Sequence, residues 1–244
     1  MKDFNPELID LEELFGRSIE QLEEERNKAL SFLTDWGNPR VVSLRDRDTP
    51  VKVQWGGTCS AFALIAAMEN KLGGQYDLSE RSLWNAYRVF NIDKAISAAK
   101  RIFIHEENSR LGAQEFDKDE YVGEGRFKLT DAKCIDRRYD LVIEAIDRGI
   151  PCFVALVTPV DLIRKLSQIE RTSKLENGGH AMAVSGYKVE NGKGYFLVKN
   201  SWGENCGDKG YQYIDFNIYD ENKKGYIYFY TVGDIIDRNN QKAI

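Results

Sequence analysis

The chain changes its hydrophobic period part-way along, and that change narrows the folds open to it. Up to about residue 150 the apolar residues recur at helical spacing. Leu8, Leu11, Phe15, Ile19, Leu22, Leu30 and Leu33 form one stripe through residues 6–34. Cys59 to Lys71 is apolar nearly all round and predicts a buried helix, stopped by Gly73-Gly74. A further helix starts at Leu78-Ser79-Glu80, with Ser79 as N-cap, and another spans Tyr139 to Arg148 before Gly149. From Pro151 the pattern turns to strands. Pro151 to Val157 reads as a buried strand, residues 160–171 as a helix, and His180–Tyr187 and Tyr195–Lys199 as two strands around the turn 190–194. Gly210–Phe216 and Gly225–Val232 are aromatic-rich strands. Helices first and strands afterwards predict an α+β fold of two lobes with a cleft between them. The expected organisation is an amphipathic segment over 1–36, a helical lobe over 37–130 and a β-barrel-like lobe over 131–244. The stretch 86–125 has no clear period.

Four residues on this frame supply the parts of a thiol acyl-transfer site: Gln54, Cys59, His180 and Asn200. Cys59 follows Gly56-Gly57 at the start of the buried helix, where unsatisfied N–H groups favour a thiolate over the ordinary thiol. The chain has two histidines, and the other, His105, sits in the polar run Ile104-His105-Glu106-Glu107, expected at the surface. His180 lies in Asn177-Gly178-Gly179-His180-Ala181, where the glycines permit close backbone approach. Asn200 ends the next strand, so one hairpin can present an imidazole and a carboxamide side by side. Such an amide orients the ring without adding a buried charge. Trp202 can cover that hydrogen bond, and Gln54 can hold an oxyanion.

The remaining signals exclude other chemistries. A net charge of −5, from 34 basic and 39 acidic residues, leaves no nucleic-acid footprint and no membrane-binding basic run. The cysteines at 59, 134, 152 and 206 lack metal-ligand spacing, and no metal or organic cofactor is expected. Cys206 is expected to be structural or a free thiol. Asp117-Lys118-Asp119-Glu120 lacks the spacing of a calcium loop. The first residues carry no charged-then-apolar leader, which gives a cytoplasmic expectation by default, with a secreted or injected protein as the alternative.

The motifs resemble those of the papain-like cysteine peptidases. Thr49-Pro50-Val51-Lys52-Val53-Gln54 is similar to the family's lead-in to its oxyanion-hole glutamine. Cys59-Ser60-Ala61-Phe62-Ala63, with Glu69 further on, is similar to the catalytic-cysteine helix. Leu78-Ser79-Glu80-Arg81-Ser82-Leu83, Gly179-His180-Ala181-Met182-Ala183-Val184 and Lys199-Asn200-Ser201-Trp202-Gly203 complete the ordered set, from about residue 43 to the C-terminus with a gap over 88–130. The resemblance implies peptide-bond hydrolysis on peptide or protein substrates through a thioester. In it Cys59 is the nucleophile, His180 the acid and base, Asn200 the orienting amide, and Gln54 with the Cys59 N–H the oxyanion donors. It also implies substrate contacts at Trp202, Gly179 and Ala181. A related acyl transfer or deconjugation, or a catalytically weak binding module, are the alternatives. Departures from the pattern are one residue fewer between Gln54 and Cys59, Ser60 in place of tryptophan, no partners for first-lobe disulfides, and no prosegment signature in residues 1–36. That last departure favours docking of the segment away from the cleft.

Overall fold

In the computed structural model the described residues are 8–22, 39–87, 91–107, 110–111, 120–121, 124–219, 226–240 and 242–243. The centre of the molecule is the helix expected after Gly57, α2 (Cys59–Lys71), preceded by a short helix α1 (Leu11–Phe15). Eleven of the thirteen α2 residues are buried, including Glu69 and Asn70, as its all-round apolar character requires. Helices α3 (Glu80–Tyr87) and α4 (Ile92–Ala99) pack beside it. Ser79 Oγ accepts the Ser82 N–H at 3.4 Å, the contact expected of an N-cap.

The strands are β1 (Arg40–Ser43), β2 (Arg110–Leu111), β3 (Glu120–Tyr121), β4 (Phe127–Leu129), β5 (Ala132–Asp136), β6 (Cys152–Pro159), β7 (Gln168–Ile169), β8 (Leu175–Glu190), β9 (Lys193–Lys199), β10 (Tyr211–Asp215), β11 (Ile227–Val232), β12 (Ile235–Asp237) and β13 (Lys242–Ala243). Helix α5 (Tyr139–Asp147) precedes β6 and α6 (Val160–Ile163) follows it. The main sheet runs β5-β11-β6-β8-β9-β10-β7, with β1 added to β8. β4, β12 and β13 form a second small sheet, and β2 pairs with β3.

The α+β class stands, but the sheet is open rather than closed into a barrel. Its end strands β5 and β7 do not pair with each other. Closure needs a consistent stagger around the whole sheet, and here β7 is two residues long and joins β10 in parallel. The helix expected over 160–171 ends at Ile163, and the chain turns through Lys165, at φ 61°, into β7. The turn at 190–194 forms as expected. Asn191 and Gly192 take φ 52° and 73°, the left-handed pair that matches the twist of two paired strands.

Strand β8 organises the functional region because its two edges are divided. Along one edge it pairs with β6 through Val184 and then with β1 from Gly186. Along the other it pairs with β9 only from Ala183 onward. The edge around Gly179 and Ala181 is thus left for partners other than β9.

Candidate active site

Cys59 opens α2 with its sulfur against β8. The backbone N–H groups of Ala181, Ser60 and Cys59 itself lie near enough to that sulfur to favour a thiolate. Burial opposes them: Cys59 is 1% exposed, and desolvation pushes the thiol up to about 12. The thiolate expected from the helix start is therefore not the form this environment favours. The helix N-terminus is present, but water is excluded.

His180 is the residue before Ala181 on β8, the strand against which the Cys59 helix packs. His180 Nε2 and Asn200 Oδ1 are 2.9 Å apart. Trp202 stacks on the imidazole at 4.2 Å between centroids and 21° between planes, covering the bond from solvent. His180 is 1% exposed, and burial lowers it to about 4 despite the opposing Asn200 hydrogen bond. Burial thus favours the neutral form of Cys59 and of His180 alike.

Gln54 is tied on three sides. Its N–H donates to Ser201 O at 2.7 Å, and its Oε1 accepts from Ser201 Oγ at 2.6 Å. Its Nε2 donates to Gly56 O at 2.8 Å, across the loop that is one residue short. One amide proton is committed there, leaving the second for another acceptor. Sequence reasoning did not single out Ser201, whose backbone and hydroxyl hold Gln54 and whose N–H donates to Asn200 Oδ1 at 2.8 Å.

Behind the site lies a buried charge cluster. Lys52 Nζ reaches Asp77 at 2.6 Å, Glu80 at 2.8 Å and Glu69 at 3.0 Å. Lys199, one residue before Asn200, donates to Thr49 Oγ1 at 3.0 Å, and Thr49 donates to Glu69. Burial opposes the Lys52 charge, but Glu80 and Glu69 outweigh it and raise the ammonium above its ordinary value. The cluster pins α2 to the end of β9, the two elements that carry Cys59 and Asn200.

The N-terminal segment docks on β8 at Gly178 and Gly179, just before His180. Ile9 N–H donates to Gly179 O at 3.2 Å, and Gly179 N–H donates to Ile9 O at 2.6 Å. This bridge occupies the β8 edge two residues from the Ala181 N–H that faces the sulfur. The glycines permit the close approach. A Cβ on Gly179 would lie 2.4 Å from Leu14 Cδ2, and one on Gly178 would lie 2.6 Å from Leu8 Cβ. Asp10 caps α1 by accepting the Glu12 and Glu13 N–H groups, and Gly16 ends it in the left-handed region. Leu14 and Phe15 are fully buried, with Phe15 against Tyr228 at 5.1 Å and Tyr226 at 6.4 Å. Docking away from the cleft was the expectation, and the segment is found on the β8 edge beside His180. The apolar stripe is satisfied on the glycine edge of β8, where no β9 residue competes.

Among the other expectations, His105 is half-buried rather than at the surface, with Nδ1 3.1 Å from Ser82 Oγ. All four cysteines are free thiols. The run Asp117-Lys118-Asp119 and the acidic residues Glu23, Glu24 and Glu25 lie outside the described residues. Among the described residues no group of three potential ligands could hold a metal ion, and no helix is long and apolar enough to cross a membrane.

Comparison with known proteins agrees with this geometry. Residues 144–227 match the family described as papain family cysteine protease. The viral cathepsin of Spodoptera litura multicapsid nucleopolyhedrovirus is 32% identical over 171 residues, covering 64% of this chain and 50% of that protein. Cathepsin K of Gallus gallus is 27% identical over 212 residues, covering 77% and 62%. The chain spans about half the length of the first of these relatives. Among solved structures, procathepsin L 3 of the Tenebrio molitor larval midgut superposes with a TM-score of 0.65 at 21% identity, covering 83% of this chain and 73% of that one. Xylellain, a cysteine protease from Xylella fastidiosa, superposes with a TM-score of 0.63 at 16% identity, covering 94% of each chain. The fold is papain-like.

Proposed function

We propose that this chain, a divergent member of the papain family, is a cysteine peptidase held in a covered state by its own N-terminal segment. The observation that carries the reading is the His180–Asn200 hydrogen bond under Trp202, on the strand whose Ala181 N–H meets the Cys59 sulfur. With Nε2–H committed to Asn200, the other ring nitrogen is the one that takes the Cys59 proton. The sulfur then attacks a peptide carbonyl. The carbonyl oxygen takes the negative charge and accepts from the Cys59 N–H and the second amide proton of Gln54. Collapse breaks the C–N bond, and His180 hands its proton to the departing amine. Water, deprotonated by His180, then cleaves the thioester and returns the thiol.

The pairing of Ile9 with Gly179 supports an inhibitory rather than a substrate role for the segment in this state. The Ile9 carbonyl accepts its hydrogen bond from the Gly179 N–H rather than from the oxyanion donors. Substrate backbone would use the same Gly179 edge once Ile9 leaves it. Trp202 acts by covering His180 and Ala181 by supporting the sulfur.

The test is turnover of a fluorogenic peptide by protein whose segment has been cut by limited proteolysis, beside Cys59→Ala and His180→Ala. The reading requires turnover, its loss in both variants, and labelling of Cys59 alone by an epoxide of the kind that alkylates active-site thiols. Turnover that survives Cys59→Ala would sink it.

A further inference from the structure

We propose that Gln212, buried inside β10, is a positioning residue that sets the tautomer of His180 through Asn200. The inference deepens the peptidase reading and rests on it for its kinetic arm.

A glutamine is out of place at this position. β10 alternates within an aromatic and apolar run, and Gln212 is fully buried. Such a side chain is costly in a core unless every polar atom finds a partner. Here each atom does. Gln212 Nε2 donates to Leu166 O at 2.7 Å and approaches Leu162 O at 3.4 Å. Its Oε1 accepts from Asn200 Nδ2 at 2.8 Å and from the Cys206 thiol at 3.1 Å. The second Asn200 Nδ2 proton points to Cys206 Sγ at 3.6 Å.

These contacts form a chain of polarity with one consistent direction. Backbone carbonyls only accept, so the end of Gln212 facing Leu162 and Leu166 is its NH₂. Its other end is then the oxygen, which also only accepts, so the end of Asn200 facing it is Nδ2. Asn200 must therefore present Oδ1 to His180, where Ser201 N–H also bonds it at 2.8 Å. An oxygen acceptor selects the Nε2–H form of the ring. In a neutral imidazole that leaves Nδ1 with the lone pair. A flipped Asn200 would set its NH₂ against the His180 ring and the Ser201 N–H, and its oxygen against the Gln212 oxygen. The carbonyls of Leu162, in α6, and of Leu166, just past it, thus fix which ring nitrogen can receive the Cys59 proton.

The experiment uses the full chain labelled with ¹⁵N in its two histidine rings. In the unmodified protein near pH 7, His180 should appear as a single Nε2–H tautomer. A ring protonated at Nδ1, or a mixture, would overturn the proposal without any variant. Gln212→Met, of similar size and without an acceptor, should turn the His180 signals into a mixture while leaving those of His105 in place. Gln212→Glu, which presents an oxygen to Asn200 in either orientation, should keep the single tautomer. With the segment removed, Gln212→Met should lower kcat about tenfold with KM unchanged, from loss of one oriented hydrogen bond. It should add nothing in an Asn200→Ala background. An unchanged tautomer and an unchanged kcat in Gln212→Met would leave Gln212 a packing residue. If the wild-type chain with its segment cut turns over no peptide, the peptidase reading fails, and the ring signals still decide the role of Gln212.

Discussion

Lys52 carries one positive charge into a setting of three carboxylates, two of them almost wholly buried. Removing one partner of such a cluster leaves charge without a counter-ion, which typically costs about 3–5 kcal/mol. Lys52→Met is therefore expected to lower stability by about that amount in urea unfolding. The loss should shrink as pH falls, because burial already pushes Glu80 up to about 8 and protonation relieves the uncompensated charge. A loss below about 1 kcal/mol at pH 8 would show that Lys199 alone balances the carboxylates. Asn200 calls for a different measurement. Asn200→Ala leaves Cys59 and His180 in place but removes the acceptor that holds the ring. Turnover is expected to fall on the order of 10²–10³ without vanishing, since the orienting partner of a triad costs less than its nucleophile or base. A fall equal to that of Cys59→Ala would mean that Asn200 also holds the two lobes in register.

The covering segment is the element whose role the sequence left open. Its stripe of Leu8, Leu11, Leu14 and Phe15 had to bury against something, and pattern alone cannot say against what. The free edge of β8 supplies backbone partners as well as apolar contact, which a helix face would not. Ile9→Pro removes the N–H that donates to Gly179 and leaves the rest of the stripe. The expected result is faster alkylation of Cys59 by iodoacetamide, by about tenfold or more, and a gain in turnover. Unchanged alkylation would place the control of access in α1 and the Phe15 contacts rather than in the Ile9 bridge.

At the scale of the whole molecule, covering the site ties its stability to pH. Burial holds His180 at about 4 in the folded chain, against an ordinary value of 6.5. Between those values the unfolded chain, and any opened form, binds a proton that the covered form does not. The His180 contribution is therefore complete above about pH 6.5 and declines as pH falls toward 4, by on the order of 3 kcal/mol. Comparing wild type with His180→Gln isolates this effect, because Glu80, which acts in the opposite direction, is common to both. The stability difference should narrow on acidification, and Cys59 should become accessible at pH 5 before the chain unfolds. A difference that stays constant from pH 7 to 4 would show that His180 is not neutral in the covered form.

Local chemistry was legible in the chain because it depends on near neighbours. The all-round apolar run made α2 a buried helix, Asn191-Gly192 made the hairpin, and the glycines before His180 announced a close approach of backbone. The order of Gln54, Cys59, His180 and Asn200 pointed to their chemistry for the same reason. Long-range choices were not legible. Whether the sheet closes depends on how its end strands meet, and β7 is too short and pairs in parallel. His105 read as exposed because its partner Ser82 lies 23 residues away. Gln212 drew no notice within an aromatic-rich strand, since its meaning rests on carbonyls 46 and 50 residues distant. The protonation state of Cys59 followed the same rule. A helix start favours the thiolate locally, but burial outweighs it, and burial is a property of the assembled fold.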